Sequence, residues 1–409
     1  MMAWSKLWVI AFRDLGRNRR RTILTLLAVA LGLALLIFLN GFIAGVTEDA
    51  LQNTIRLETG HVQLRTATYE EDKVSLQRQD LLANPTQLAA QASSLSGVKA
   101  AAPVLWAGAL IDTRDESVNL QLIGIDTTSD IYAPFQQAMV AGAFLTPDDR
   151  NGILIGKRLA DSLGLAVDRN VSLTVIDGDG TADDGVFTIR GLFSTGIPRY
   201  DDGAVFMPLS KAQAFARTGD RASAVIMLLQ QQDQAEQVAS ALQSPGVTAL
   251  TWRTLNQVFL ETMSTAMSFY TILDAIVMLI VAVIIANTLL MAVFERIREM
   301  GILAALGMKG GQIMQMFLFE ATILGLGGII VGVILGSGAV AYLATVGLSL
   351  GDAAAAASNI ALRSTIYARF VPGTFAILAL WTLIITLLAS LYPAWFAARL
   401  EPVTALHSL

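Results

Sequence analysis

Four stretches of the chain are apolar without a surface period, and the remainder alternates. Residues Thr22 to about Val46, about Ser268 to Phe294, about Phe317 to Val346 and about Pro372 to Ala397 each exceed the roughly 20 apolar residues that cross a hydrocarbon core. The first and last carry no charge, the second holds Asp274 and the third Glu320. Between the first two windows the pattern changes to short alternating runs rich in Val, Ile and Phe, which predict strands. These are His61–Thr66, Val104–Ile111, Val118–Ile125, Val171–Ile176, Val186–Leu192 and Ala204–Met207. Helical spacing marks Gln87–Leu95, Lys157–Leu163 and Lys211–Ala216, and Ser223–Leu229, Gln232–Leu242 and Val247–Thr251 read as a β-α-β unit. Thr47–Arg56 and Arg253–Met267 continue the flanking spans as helical stalks.

The pattern predicts an α-helical membrane protein of four transmembrane helices, with a large extracytoplasmic α+β domain inserted between helices 1 and 2. In residues, this gives a cytoplasmic segment 1–21, span 22–46, domain and stalks 47–267, span 268–294 and connection 295–316. Span 317–346, outer loop 347–371, span 372–397 and cytoplasmic tail 398–409 complete it. The apolar run of the first window is too long for a cleaved signal peptide, so it reads as an uncleaved anchor.

Charge sets the sides. Lys6, Arg13, Arg17, Arg19, Arg20 and Arg21 precede the first span, Arg296, Arg298 and Lys309 lie between the second and third, and Arg399 follows the fourth. Alternating spans put all of these on one side, the cytoplasm by the positive-inside rule, with Arg363 and Arg369 weakly opposed. Thr47–Met267 holds 16 Lys/Arg against 26 Asp/Glu, a net of −10, which argues against nucleic acid as a partner.

Composition narrows the chemistry. Charged residues are 15% of the chain, against about 25% in soluble domains. With no cysteine, disulfides, thiolate catalysis, Cys-based metal sites and a lipid anchor on an N-terminal cysteine are excluded. The two histidines, His61 and His407, are far apart, so no metal site is expected, and His61 on its strand reads as structural. There is no G-x-S-x-G, H-E-x-x-H or G-x-x-x-x-G-K-[ST], so no catalytic residue and no P-loop are expected. Asp177-Gly178-Asp179-Gly180 lacks the calcium-loop spacing and reads as a solvated hairpin turn.

The connection Glu295–Gly311 is a short helix, charged at its start and apolar after, ended by Gly307, Gly310 and Gly311. Such a helix lies on lipid or docks in a partner's groove. Its E-R-x-R-E-x-G-x-x-x-A-x-G pattern, Glu295 to Gly307, is followed by Phe317-Leu318-Phe319-Glu320-Ala321 and a Gly-rich span. Together with the ending Tyr392-Pro393-Ala394-Trp395 through Val403, it resembles the FtsX/MacB superfamily of ABC permeases. The stretch Phe193–Leu209 and Asn40-Gly41-Phe42 resemble the lipoprotein-releasing (LolC/LolE-type) branch.

The resemblance implies a bacterial inner-membrane permease that works as a dimer, with a second copy or a paralogue, and that drives its outer domains through the stalks. Glu295, Arg296, Arg298, Glu299, Gly301, Ala305 and Gly307 would form a coupling helix on a separate ATPase. That subunit would bind ATP and Mg, leaving this chain no cofactor and no catalysis; a separate subunit is expected because the chain begins close to its first span. The implied cargo is a lipoprotein or another amphiphile, passed to a periplasmic carrier. Efflux of a small amphiphile with a periplasmic adaptor, or signalling to a cell-wall hydrolase, stand as alternatives.

Individual residues carry further expectations. Glu320 is shallow in its span and reads as an ion pair with Arg296 or Arg298, or a coupling brace, ahead of a proton relay. Asp274 either faces a dimer cleft or caps a stalk. Gly328, Gly332 and Gly336, four apart, predict a helix–helix seam within the chain or between protomers. Leu31, Leu35, Phe38 and Phe42 share a face: lipid contact or packing on plain grounds, or, by the resemblance, Leu35, Phe38 and Phe42 as an acyl-chain cleft.

Overall fold

The computed structural model describes residues 13, 16, 17, 19–70, 74–113, 116–349, 351 and 362–399. Lys6, Leu400–Val403 and His407 lie outside the described residues. In chain order the elements begin with α1 (Arg19–Thr54), a π-turn (Ile55–Thr59), β1 (Val62–Arg65), α2 (Pro85–Ser93), β2 (Val98–Asp112) and β3 (Ser117–Ile125). Then come α3 (Ala133–Gln137), β4 (Met139–Gly142), β5 (Gly152–Gly156), α4 (Lys157–Ser162), β6 (Asn170–Ile176) and β7 (Ala182–Phe193). Next are α5 (Pro198–Gly203), β8 (Ala204–Pro208), α6 (Leu209–Phe215), β9 (Ala224–Leu229), α7 (Ala235–Leu242), β10 (Thr248–Thr251) and α8 (Trp252–Leu255). The last helices are α9 (Gln257–Glu295), α10 (Ile297–Ala305), α11 (Gly310–Val346) and α12 (Pro372–Ala398).

Among the described residues, four helices are long and apolar enough to span a membrane: α1 with its π-turn, α9, α11 and α12. At 1.5 Å per residue, the 36 residues of α1 reach about 54 Å, well beyond a hydrocarbon core of about 30 Å. The chain divides into two units: Met1–Val46, Met263–Leu348 and Tyr367–Leu409 form the helical one, and Thr47–Thr262 with Ser349–Ile366 the other.

In the helical unit, α1 and α11 meet along the glycine row. A Cβ on Gly328 would stand 2.6 Å from Val29 Cβ, one on Gly332 2.8 Å from Ala30 O, and one on Gly336 2.8 Å from Ile37 Cβ. The seam therefore lies within the chain, and the absent side chains are what let the two backbones close. On α12, Thr382, Thr386 and Ser390 are buried, each hydroxyl bonded to a carbonyl three or four residues back, so no polar group there is left unpaired.

The second unit is built on one ten-stranded sheet that partly closes on itself. The order β10-β1-β9-β2-β3-β8-β5-β7-β4 is joined by β6, which pairs both β2 and β7. Strands β2, β3, β8, β5, β7 and β6 thus form a closed ring, a small barrel filled by side chains. Leu105, Ala107, Ala109 and Ile111 of β2 point into it with Leu122, Ile153, Ile155, Leu173, Phe187, Ile189, Val205 and Met207. The alternate residues of β2, Val104 and Trp106, face a second cluster around Phe135, Phe193 and Phe206. A third cluster lies under β1, β9 and β10, covered by α2 and α7.

Two strands, β5 and β4, are not among those expected from the sequence. In β5, Gly152-Ile-Leu-Ile-Gly156, all five residues are buried, so no polar face marks it; β4 is four residues long. The expected β-α-β unit exists as β9-α7-β10, but its strands are not neighbours: β1 pairs antiparallel with both and lies between them. His61 holds this arrangement, accepting from Leu229 N at Nδ1 (2.8 Å) while its carbonyl accepts from Trp252 N (2.9 Å). Burial lowers its pKa below the ordinary 6.5, which keeps that acceptor nitrogen unprotonated. The Asp177–Gly180 turn closes the β6–β7 hairpin but is not fully solvated. Asp177 is buried, accepts from Asp179 N and Thr181 N, and pairs with Arg217 at 3.3 Å.

Candidate functional site

Where α9 ends, three arginines and three glutamates converge. Glu295 is its last residue, and Arg296 leaves helical geometry (φ −115°, ψ 15°), so the chain turns before α10 begins. Gly307 ends the connection at φ +92°, a conformation that glycine adopts without Cβ strain. Lys309 then starts α11, its N–H donating to Gln312 Oε1 (3.0 Å), a side-chain cap for an otherwise unpaired end.

The charges are layered by burial. Glu320, one turn into the apolar part of α11, is 2% exposed and sits 3.6 Å from Arg296 Nη1 and 3.6 Å from Arg21 Nη2. Arg296 is itself 3% exposed. Arg21 also donates to Glu295 (3.0 Å), and Arg17 pairs with Glu299 further out. The six charges cancel, which is the condition for holding Glu320 and Arg296 out of water. Met300, Ile313, Met316, Phe317, Ala394 and Ala397 pack beside them, seating α10 against α9, α11 and α12.

The expected coupling residues therefore divide. Arg296 and Gly301 are buried and hold α10 from beneath. Glu295, Arg298, Glu299, Ala305 and Gly307 are exposed. Two residues not singled out from sequence join them: Ile302 of α10, 47% exposed, and Leu306, which caps its C-terminus and is 80% exposed. In the sequence Arg21 is one of a basic run, Arg17 to Arg21. Its position just before the first apolar window matches the shallow depth of Glu320, and that was the available clue to the pair.

The remaining candidates lie elsewhere in the helical unit. Asp274 on α9 accepts from Asn40 Nδ2 of α1 (3.1 and 3.3 Å), and Asn40 also donates to Leu36 O. Phe38 and Phe42 stack with centroids 6.5 Å apart and pack on a cluster that includes Leu33, Ile37 and Val340. Leu35 and Leu31 point outward instead, 51% and 58% exposed. The stripe is thus split between packing and an outer face. Among the described residues, no group of His, Cys, Asp or Glu could hold a metal ion.

Comparison with known proteins agrees with this layout at the level of family. Residues 22–244 match the MacB-like periplasmic core domain, and residues 271–402 match the FtsX-like permease C-terminal. The chain is 25% identical over 333 residues to the lipoprotein-releasing system transmembrane protein LolC of Neisseria meningitidis serogroup B, covering 76% of this chain and 78% of that one. It is 27% identical over 423 residues to the macrolide export ATP-binding/permease protein MacB of Rhodospirillum rubrum, covering 98% of this chain and 60% of that one. The crystal structure of the periplasmic region of MacB from Actinobacillus actinomycetemcomitans overlaps 52% of this chain and 97% of that one, at 15% identity and TM-score 0.36.

Proposed function

The chain belongs to the FtsX/MacB superfamily of ABC-transporter permeases, and from that premise we propose that α10 is the helix through which a separate ATPase drives it. The observation that carries this reading is the two-sided character of α10. Its underside is locked by the Arg296–Glu320 pair, while Arg298, Ile302, Ala305 and Leu306 stand uncovered. A charged and apolar face on a firmly held helix suits a protein groove. ATP and Mg would be bound by that partner.

The reading places both termini and α10 in the cytoplasm and the barrel domain outside, between the first two spans, with two permease chains in the complex. Its cargo is an amphiphile taken from the outer leaflet, a lipoprotein by the LolC likeness. Efflux of a small amphiphile is favoured by one observation, that the MacB likeness extends over 98% of this chain.

Purification in detergent tests the docking face. An ATPase should co-elute with the wild-type chain and be lost from Leu306→Glu or from Arg298→Glu with Glu299→Arg. If both variants retained a co-eluting ATPase in full, α10 would not be its dock.

A further inference from the structure

Three segments bring the chain into the barrel unit from the helical one: α1, the start of α9, and the stretch 349–366, of which 349, 351 and 362–366 are described. Within the barrel unit, a short run of polar contacts links all three segments: Asn256 to Thr59, the adjacent Glu58 to Arg199 and Tyr200, and Ser364 to Gly196. Below α1, the π-turn presents Glu58, which accepts from Arg199 Nη2 (2.9 Å) and Tyr200 Oη (3.4 Å). The next residue, Thr59, accepts at its hydroxyl from Asn256 Nδ2 (3.4 Å), and Asn256 is the break between α8 and α9. Ser364, in the third connection, donates its N–H to Gly196 O (3.1 Å).

Residues 194–203, which receive the Glu58 and Ser364 contacts, are held by their own hydrogen bonds. Asp201, 1% exposed, accepts from Thr195 N (2.8 Å), Thr195 Oγ1 (2.8 Å), Gly196 N (2.9 Å) and Ser194 Oγ (3.3 Å). Tyr200 is buried edge-on against Phe135. Burial and the neighbouring Glu58 push its hydroxyl well above the ordinary range, so it stays a donor. Asp202 takes two bonds from Arg158 (2.8 and 2.9 Å), tying the loop to α4 of the barrel. A clamp of this kind is more than one strand-end turn needs.

We propose that this run of contacts is the joint at which displacement of any one connection is passed to the other two, and that Arg199 is its positioning residue through the Glu58 ion pair. The transport role assigned to the joint rests on the permease reading above; the mechanical linkage does not. Glu58 and Thr59 are consecutive, so a π-turn that moves with α1 must carry both the Arg199 and the Asn256 contact with it. Three loosely tethered connections would need none of these linked contacts.

Hydrogen exchange on the full chain in lipid nanodiscs tests the linkage without any ATPase. Arg199→Glu should speed exchange on the order of tenfold in three separated segments together: 55–60, 252–260 and 362–366. The barrel strand 153–156 should keep its protection, which reports that the fold is intact. The swap Glu58→Arg with Arg199→Glu should restore all three segments. Arg199→Gln serves as the milder variant should the charge reversal unfold the domain. Faster exchange confined to 55–60 and 196–203 would overturn the proposal. With an ATPase bound, Arg199→Glu should keep ATP hydrolysis within about twofold while ATP-dependent exchange changes in the barrel disappear. Retention of those changes would overturn the joint's role in transport, and absence of any bound ATPase would instead sink the permease reading.

Discussion

Removing the Glu320 carboxylate would leave Arg296 charged, 3% exposed, with its buried counter-charge gone. Loss of one member of a buried pair costs about 3–5 kcal/mol, because the orphaned charge stays desolvated. Glu320→Ala should accordingly lower the thermal unfolding midpoint in detergent strongly. Arg296→Met combined with Glu320→Leu should recover much of it, since Arg21 keeps Glu295. Equal losses in the single and double variants would show that packing, not charge pairing, sets the cost. The acid was legible as a charge inside an apolar run beside a basic connection, with Arg296 and Arg298 as alternative partners, of which folding takes Arg296. The third member was not, because only folding brings residue 21 to residue 320. Asn40 shows the same limit: its amide near the outer end of a span was visible, but not its bond to Asp274.

At the level of elements, the α1–α11 seam depends on missing side chains. A valine at Gly332 would force atoms against Ala30 O and Leu33 Cβ, both within 3.1 Å of the first added carbon. Overpacking of this kind costs about 1–3 kcal/mol. Gly332→Val should reduce the yield of monodisperse protein and its melting temperature. Gly338→Ala, with nothing within 4 Å, should do neither. Should both variants behave as wild type, the helices would not be in close contact there. The four-residue spacing told of a seam, but not which helix faced it. Strands with one wet face, such as β3, could be read from alternation. Strand β5 is buried on both sides and carries no period; β8 is buried as fully and was legible only through its Val and Phe content.

At the level of the molecule, the absence of cysteine allows the sidedness to be measured without background. Ala90→Cys on α2 and Ala305→Cys on α10 are both exposed positions. A membrane-impermeant maleimide should label Ala90→Cys in intact spheroplasts and Ala305→Cys only after lysis. Reversed labelling would invert the proposed topology. The α+β class and the order of spans were readable from periodicity and charge. Closure of the sheet was not, since it depends on β6 reaching both β2 and β7, and on the parallel pairing of β3 with β8. Such long-range pairings leave no local trace in the residues that make them.

The position of β1 sets a clock on synthesis. Val62 pairs with Met227 and with Thr251, so the strand made first is held by the strands made last, about 190 residues later. At roughly 5–20 residues per second, β1 waits on the order of 10–40 seconds for its neighbours. During that interval both its edges are open to other chains. Its length of four residues keeps that exposure small, and the barrel strands that emerge meanwhile can close without it.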